Sequence, residues 1–178
     1  MEINPTPLPG LLLIRAVPFA DRRGGFLKPF NEAFFQENGL ATDFKEFYYS
    51  VNRKDVIRGM HFQTPPCDHA KLVYVSRGRI LDVVVDIRRS SPSYGHYFEA
   101  ELNAEDGCCL YIPSGFAHGF CSLEDDSVVN YAQTSCYDSQ HDCGISYRSF
   151  GFPWPVSDPI LSDRDLGFPD LKDFDSPF

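Results

Sequence analysis

Residues 71 to 88, KLVYVSRGRILDVVVDIR, form two runs rich in β-branched residues on either side of Ser76-Arg77-Gly78-Arg79. Glycine accepts the positive φ that a tight turn requires, so the stretch reads as a β-hairpin. In the second run Leu81, Val83, Val85 and Ile87 fall on one face, and Ile80, Asp82, Val84 and Asp86 on the other. That alternation predicts one core face and one mixed face. Similar strand-like segments recur at 10–17, 44–52, 97–103, 109–113 and 127–133, separated by the turn signals DRRGG, SPSYG, AEDG and IPSG. Only 31–39, NEAFFQENG, reads as helix, with Ala33, Phe34 and Phe35 apolar and Gly39 to stop it. Short strands at such spacing predict an all-β fold, an antiparallel sandwich or barrel whose closure disposes of exposed edges. From Phe152 the chain is rich in Pro, Asp and Phe, and its aromatic residues predict an ordered tail packed on the body of the fold.

Composition narrows the function. A length of 178 residues suits one domain spanning 1–178, and 43% hydrophobic residues can fill a core. No apolar run approaches the roughly 20 residues of a membrane span. The start, MEINPTPLPG, lacks the basic and apolar regions of a signal peptide, so the expected location is the cytoplasm. Six cysteines without CxxC spacing are expected there as reduced thiols. A formal net charge of −9 argues against a nucleic-acid partner and requires that any anionic ligand be held by a local group of cations.

Such a group exists. Arg58, His61, His69 and Lys71 fall within IRGMHFQTPPCDHAKLVYV, His118 follows the turn in IPSGFAHGF, and Tyr131 and Tyr137 come soon after. Singly, each has a plain structural reading: a histidine hydrogen-bonded in a core, a lysine guarding a strand edge, a tyrosine with its hydroxyl in water. Converging on the mouth of one barrel, they would carry a desolvation cost that function commonly explains. A bound metal is not expected among these histidines. His61 is followed by Phe62 and Gln63 where an HxH pair is needed, and no Glu lies between residues 47 and 98.

The strings VIRGMHFQ, AKLVYVSRGRILDVVVDIRRSSPSYG, LYIPSGFAHGF, NYAQ and WPVSDPILSDRD, in that order between about residues 10 and 170, resemble the dTDP-4-dehydrorhamnose 3,5-epimerase family of the cupin superfamily. The resemblance implies a cupin jelly-roll barrel, a homodimer, no metal or other cofactor, and epimerisation of a nucleotide-linked 4-keto-6-deoxy sugar. It also implies roles. His61 matches the histidine base, Asp165 the aspartate that orients it, Lys71 the lysine near the C4 oxygen, and Tyr131 the general acid on the opposite face. Arg23 and Arg58 match arginines at the diphosphate, His118 a residue near the sugar, and Tyr137 a tyrosine near the nucleotide. Arg164 stands where Lys is frequent and Asp142 where Glu is usual.

Two departures fall in the region expected to hold the base. Glu46, Phe47 and Tyr48 replace a usual Gln-Asp-Asn, and Lys28 replaces a Glu. The nucleotide is therefore open between dTDP, CDP and others, as is the choice of C3, C5 or both. Tyr48 and Tyr49 add phenols that could enter the pocket beside Tyr131. A ketoisomerase would be expected to lose the Tyr131 acid or relocate the base. A non-catalytic sugar-nucleotide binder would keep the arginines but need no His61, Asp165 and Tyr131 together.

Overall fold

The computed structural model describes residues 1–178. Thirteen strands and two short helices run in the order β1 (Glu2–Pro5), β2 (Leu12–Arg15), β3 (Phe19–Asp21), β4 (Gly24–Phe26), α1 (Glu32–Glu37), β5 (Glu46–Asn52), β6 (Ile57–Gln63), β7 (Lys71–Arg77), β8 (Arg79–Asp86), β9 (Tyr97–Asn103), β10 (Cys108–Ile112), β11 (Phe116–Ser122), β12 (Ser127–Gln133), β13 (Asp142–Gly144) and α2 (Asp163–Leu166). A six-stranded sheet has the order β1-β2-β10-β7-β12-β5, and a five-stranded sheet the order β13-β6-β11-β8-β9. All their strand pairings are antiparallel. This is the jelly-roll architecture that the resemblance implied.

Period two explains how the layers form. In the six-stranded sheet Val73, Val75, Leu110, Ile112 and Val129 point inward and meet Ile80, Val84, Leu102, Phe116 and Phe120 of the other sheet in one core. Each such side chain, fully buried, contributes about 1.5–3 kcal/mol. The outward residues of the six-stranded sheet, among them Leu72, Cys109 and Tyr111, are covered by Phe34 and Phe35 of α1 with Phe30 and Phe44. Asn31 caps that helix by accepting from Phe34 N–H, and Gly39 follows it at φ +69°. Val83, Val85 and Ile87, outward on the five-stranded sheet, meet Phe152, Leu171, Trp154, Phe174 and Phe178. The aromatic tail is thus a third layer, which is why both faces of β8 are buried.

The hairpin expected around Gly78 is not formed. β7 lies between β10 and β12, and β8 between β11 and β9, so neither has a free edge for the other. Gly78, at φ +73°, carries the chain from one sheet to the other with Ser127 packed so closely that a Cβ would lie 2.9 Å from its Cα. Strands β6 and β11, interrupted by glycine and polar residues, carry too little apolar alternation to be read from sequence.

Candidate active site

The two sheets part at one end into a cavity of about 790 Å³. β6 brings Arg58, His61 and Gln63 to it from one wall, and β7 and β12 bring Lys71, Tyr131 and Gln133 from the other. His118, Tyr48, Tyr137, Asp142 and Arg164 also line it.

His61 is aimed by a bulge. Between the pairs Phe120↔Arg58 and His118↔His61, β6 has two residues where β11 has one. Gly59, at φ +139°, and Gly119 let the backbones approach until a Cβ on Gly59 would lie 2.6 Å from Gly119 Cα, so no other residue fits there. The distorted strand turns Gly59 N–H toward Asp165 Oδ2 at 3.0 Å, while His61 Nε2 lies 2.8 Å from Asp165 Oδ1. Asp165 comes from the tail: Ile57 N–H donates to Ile160 O at 3.0 Å, and Ser162 caps α2 by accepting from Asp165 N–H.

The charges follow from this packing. Burial raises the Asp165 pKa, but hydrogen bonds from His61, Gly59 and Ser162 outweigh it and hold the group as a carboxylate. Burial pushes His61 below its ordinary value; Asp165 opposes this, whereas Lys71 and Arg164 add to it. At neutral pH His61 is therefore uncharged. Its Nε2–H donates to Asp165, and the Nδ1 lone pair is left to accept a proton.

Lys71 is buried and has no hydrogen bond or ion pair with the protein. Burial pushes its ammonium down to about 8, with Asp142 and Asp82 opposing. An ammonium so placed favours an anion or developing oxyanion in the cavity. Tyr131 stands on the same wall, on the neighbouring strand β12, its phenol pushed well above the usual range by burial, so it keeps its proton. Tyr48 stacks on Tyr131 with ring centroids 4.7 Å apart, and burial raises its phenol to about 12. Tyr48 OH donates to Gln133 Oε1 at 3.1 Å, and Gln133 Nε2 donates to Glu46 Oε2 at 3.0 Å.

His118 Nε2 lies 2.8 Å from Asp82 Oδ2, both buried. Arg58 donates through Nε to Asn52 Oδ1 at 2.7 Å, which leaves its two terminal nitrogens for a ligand. Arg164 pairs with Asp142 at 2.7 Å and lies over the Phe168 ring. Tyr137 stands exposed on the rim.

Arg23 is the exception among the expected residues. It sits in the β3–β4 hairpin, which pairs only with itself, and its exposed guanidinium is held by Asp21 at 2.7 Å, outside the cavity. A three-residue strand pairing has no sheet to carry it back to the site within one chain. Lys28 is also exposed and outside the cavity. Sequence reasoning missed Asp82, Asn52, Gln63 and Gln133. Asp82 had a signal, an acid on the inward face of an apolar strand; the three amides had none.

A family model described as dTDP-4-dehydrorhamnose 3,5-epimerase matches residues 5–173. The dTDP-4-dehydrorhamnose 3,5-epimerase of Shigella flexneri is 38% identical over 178 residues, covering 98% of each chain. The crystal structure of dTDP-4-dehydrorhamnose 3,5-epimerase from Sulfolobus tokodaii is 42% identical, with TM-score 0.90 over 97% of this chain and 96% of that one. A dTDP-6-deoxy-D-glucose-3,5-epimerase from Legionella pneumophila, solved in complex with dTDP-4-keto-L-rhamnose, is 31% identical with TM-score 0.93, over 98% and 94% of the two chains.

Proposed function

The chain belongs to the dTDP-4-dehydrorhamnose 3,5-epimerase family, and from that membership we propose that it epimerises C3 and C5 of a nucleoside-diphosphate 4-keto-6-deoxyhexose through an enolate. The observation that carries the reading is the pairing across one cavity of His61–Asp165 on one wall with Tyr131 on the other, Lys71 standing unpaired on that second wall.

In the proposed reaction His61 Nδ1 takes the proton from the carbon beside the C4 ketone. The C–H electron pair forms the enolate double bond, and charge passes to the C4 oxygen, where the Lys71 ammonium stabilises it. The imidazolium that forms is stabilised by Asp165. Tyr131, approaching from the opposite wall, returns a proton to the other face of the carbon, and the ketone re-forms with that centre inverted. Arg58 and Arg164 serve the diphosphate, whose oxygens suit a guanidinium fork. His118, oriented by Asp82, contacts the sugar. Tyr137, Asp142, Tyr48, Glu46 and Gln133 surround the nucleotide side.

We further propose that residues 1–178 act as one domain within a homodimer. β5 is an edge strand with Phe47, Tyr49 and Val51 exposed, and the free β3–β4 hairpin exposes Phe19 and Phe26. Covering these surfaces with a second copy would protect the edge and give Arg23 a route to the partner's diphosphate site. All six cysteines are free, which fits the reducing cytoplasm.

The test is incubation in D2O with dTDP-, CDP- and GDP-linked 4-keto-6-deoxyglucose, following the C3 and C5 protons by NMR. Exchange at both carbons with one nucleotide establishes the double epimerase and names its base. Exchange at a single carbon replaces it with a one-site epimerase, and no exchange removes the catalytic reading. Light scattering at working concentration tests the dimer.

A further inference from the structure

We propose that Cys67, Asp138 and His141 form a divalent metal site of the zinc type on the rim of the cavity, separate from the proposed catalytic residues. A ligand atom of each lies within 4.8 Å of those of the other two, and all three side chains are half-buried. Cys67 Sγ lies 3.6 Å from Asp138 Oδ2. A tetrahedral zinc with bonds of about 2.3 Å to sulfur and 2.1 Å to oxygen spans an S···O edge of about 3.6 Å, so this edge is already at coordination length.

The two loops that supply these ligands are held together without any ion. Asp138 and His141 lie in one turn, closed by His141 N–H on Asp138 O at 3.1 Å, and Cys67 ends another, closed on Thr64 O at 3.0 Å. Thr64 N–H donates to His141 O at 2.9 Å. Gln63 Oε1 accepts from Asp138 N–H at 2.7 Å, and its Nε2 donates to Cys67 O at 2.7 Å. Thr64 Oγ1, 3.2 Å from His141 Nδ1, fixes the ring as outer-shell partners do in metal sites.

One thiolate, one imidazole and one carboxylate suit Zn²⁺ or Co²⁺, whereas Mg²⁺ and Ca²⁺ prefer oxygen alone. Three protein ligands leave a fourth position for water. On binding, the Cys67 Sγ proton passes to solvent and the sulfur lone pair goes to the metal. The site also bears on the cavity: Gln63 lines both, and Tyr137 and Asp142 flank the ligands Asp138 and His141, so an ion would pin that stretch of the rim to the 64–67 loop. Sequence spacing alone does not show this pattern, because its Cys and its Asp-x-x-His lie far apart in the chain.

The experiment titrates the reduced, chelator-treated full chain with CoCl₂. One equivalent should produce near-ultraviolet thiolate-to-cobalt charge transfer with four-coordinate visible bands, both reversed by one equivalent of ZnCl₂. Cys67→Ser should abolish the charge transfer and Cys136→Ser, at the neighbouring exposed thiol, should retain it. No charge transfer in the wild type, or a band that survives Cys67→Ser, overturns the proposal. Should Cys67→Ser not fold, Asp138→Asn and His141→Gln decide instead: each should weaken cobalt binding at least tenfold, and unchanged affinity in both overturns the site.

Discussion

Asp165→Asn tests the dyad because the side chain keeps its shape and loses one acceptor. Asp165 uses both oxygens, Oδ2 on Gly59 N–H at 3.0 Å and Oδ1 on His61 Nε2 at 2.8 Å. If the single Asn oxygen stays on Gly59, its NH₂ faces His61 Nε2, and the ring proton is driven to Nδ1, where the base needs its lone pair. If the oxygen turns to His61, two donors face each other at Gly59, a buried mismatch of about 1–3 kcal/mol. The charge-assisted bond that stabilises the imidazolium is lost as well, about 1.5–3 kcal/mol. Together these are about 2.5–6 kcal/mol, or roughly 10²- to 10⁴-fold in rate at about 1.4 kcal/mol per decade. The assay is the initial rate of C3 and C5 deuterium exchange at pH 7, with circular dichroism to confirm folding. A folded variant exchanging within about threefold of wild type refutes the dyad.

Three other outcomes follow from the same geometry. The pH–rate profile for exchange should rise through a pKa below 6.5, as His61 loses its proton, and fall again near about 8 as Lys71 becomes neutral; a plateau extending past pH 10 would remove Lys71 as the oxyanion's partner. Tyr131→Phe should leave substrate protons exchanging with solvent while inverted product falls at least tenfold, since removal and return of the proton lie on opposite walls; unchanged inversion points instead to Tyr48 or Tyr49, which also line the cavity. Asp86 is buried, and although burial raises its pKa, bonds from Arg88, Ser91 and Ser93 hold it down to about 2. A depressed carboxylate stabilises the fold above its unfolded pKa and loses that contribution as pH falls through the folded value. Asp86→Asn should therefore cost about 2 kcal/mol at pH 7 and nearly nothing at pH 2, read by urea unfolding.

The inward alternation of β8, β10 and β12 made the barrel legible, because a strand with one face in a core must repeat with period two. What the alternation could not show was strand partnership. Gly78 reads as a hairpin turn, yet it is a corner between sheets, since the same φ above zero serves both. β6 stayed hidden because its defining feature is the Gly59 bulge, and the approach to Gly119 that demands glycine comes from a strand far away in sequence. Among site residues, His61, Lys71, Tyr131 and Asp165 were placed by motif resemblance and do gather. Arg23 does not: it sits in the β3–β4 hairpin, which joins neither large sheet, a placement that motif order does not reveal.

Lys71 puts the tension between stability and function in one side chain. Its folded pKa of about 8 lies below the value of 10.5 from which burial displaces it, so the folded protein holds the proton less tightly than the unfolded chain. Below pH 8 both states are protonated, and the buried ammonium costs the fold about 3 kcal/mol. Between about 8 and 10.5 the native state alone is neutral, so stability rises with pH across that window. Lys71→Met keeps a similar apolar stem and removes the charge. At pH 7 it should raise the unfolding free energy by up to about 3 kcal/mol, an advantage that shrinks toward zero by about pH 10.5. The same variant should lose at least 10²-fold in deuterium exchange, the scale of removing one oxyanion donor. Urea unfolding at pH 7 and pH 10.5, with exchange measured at pH 7, reads both effects. A variant less stable than wild type at pH 7 would mean that Lys71 has a favourable partner in the protein, and one that exchanges normally would mean that the enolate is held elsewhere.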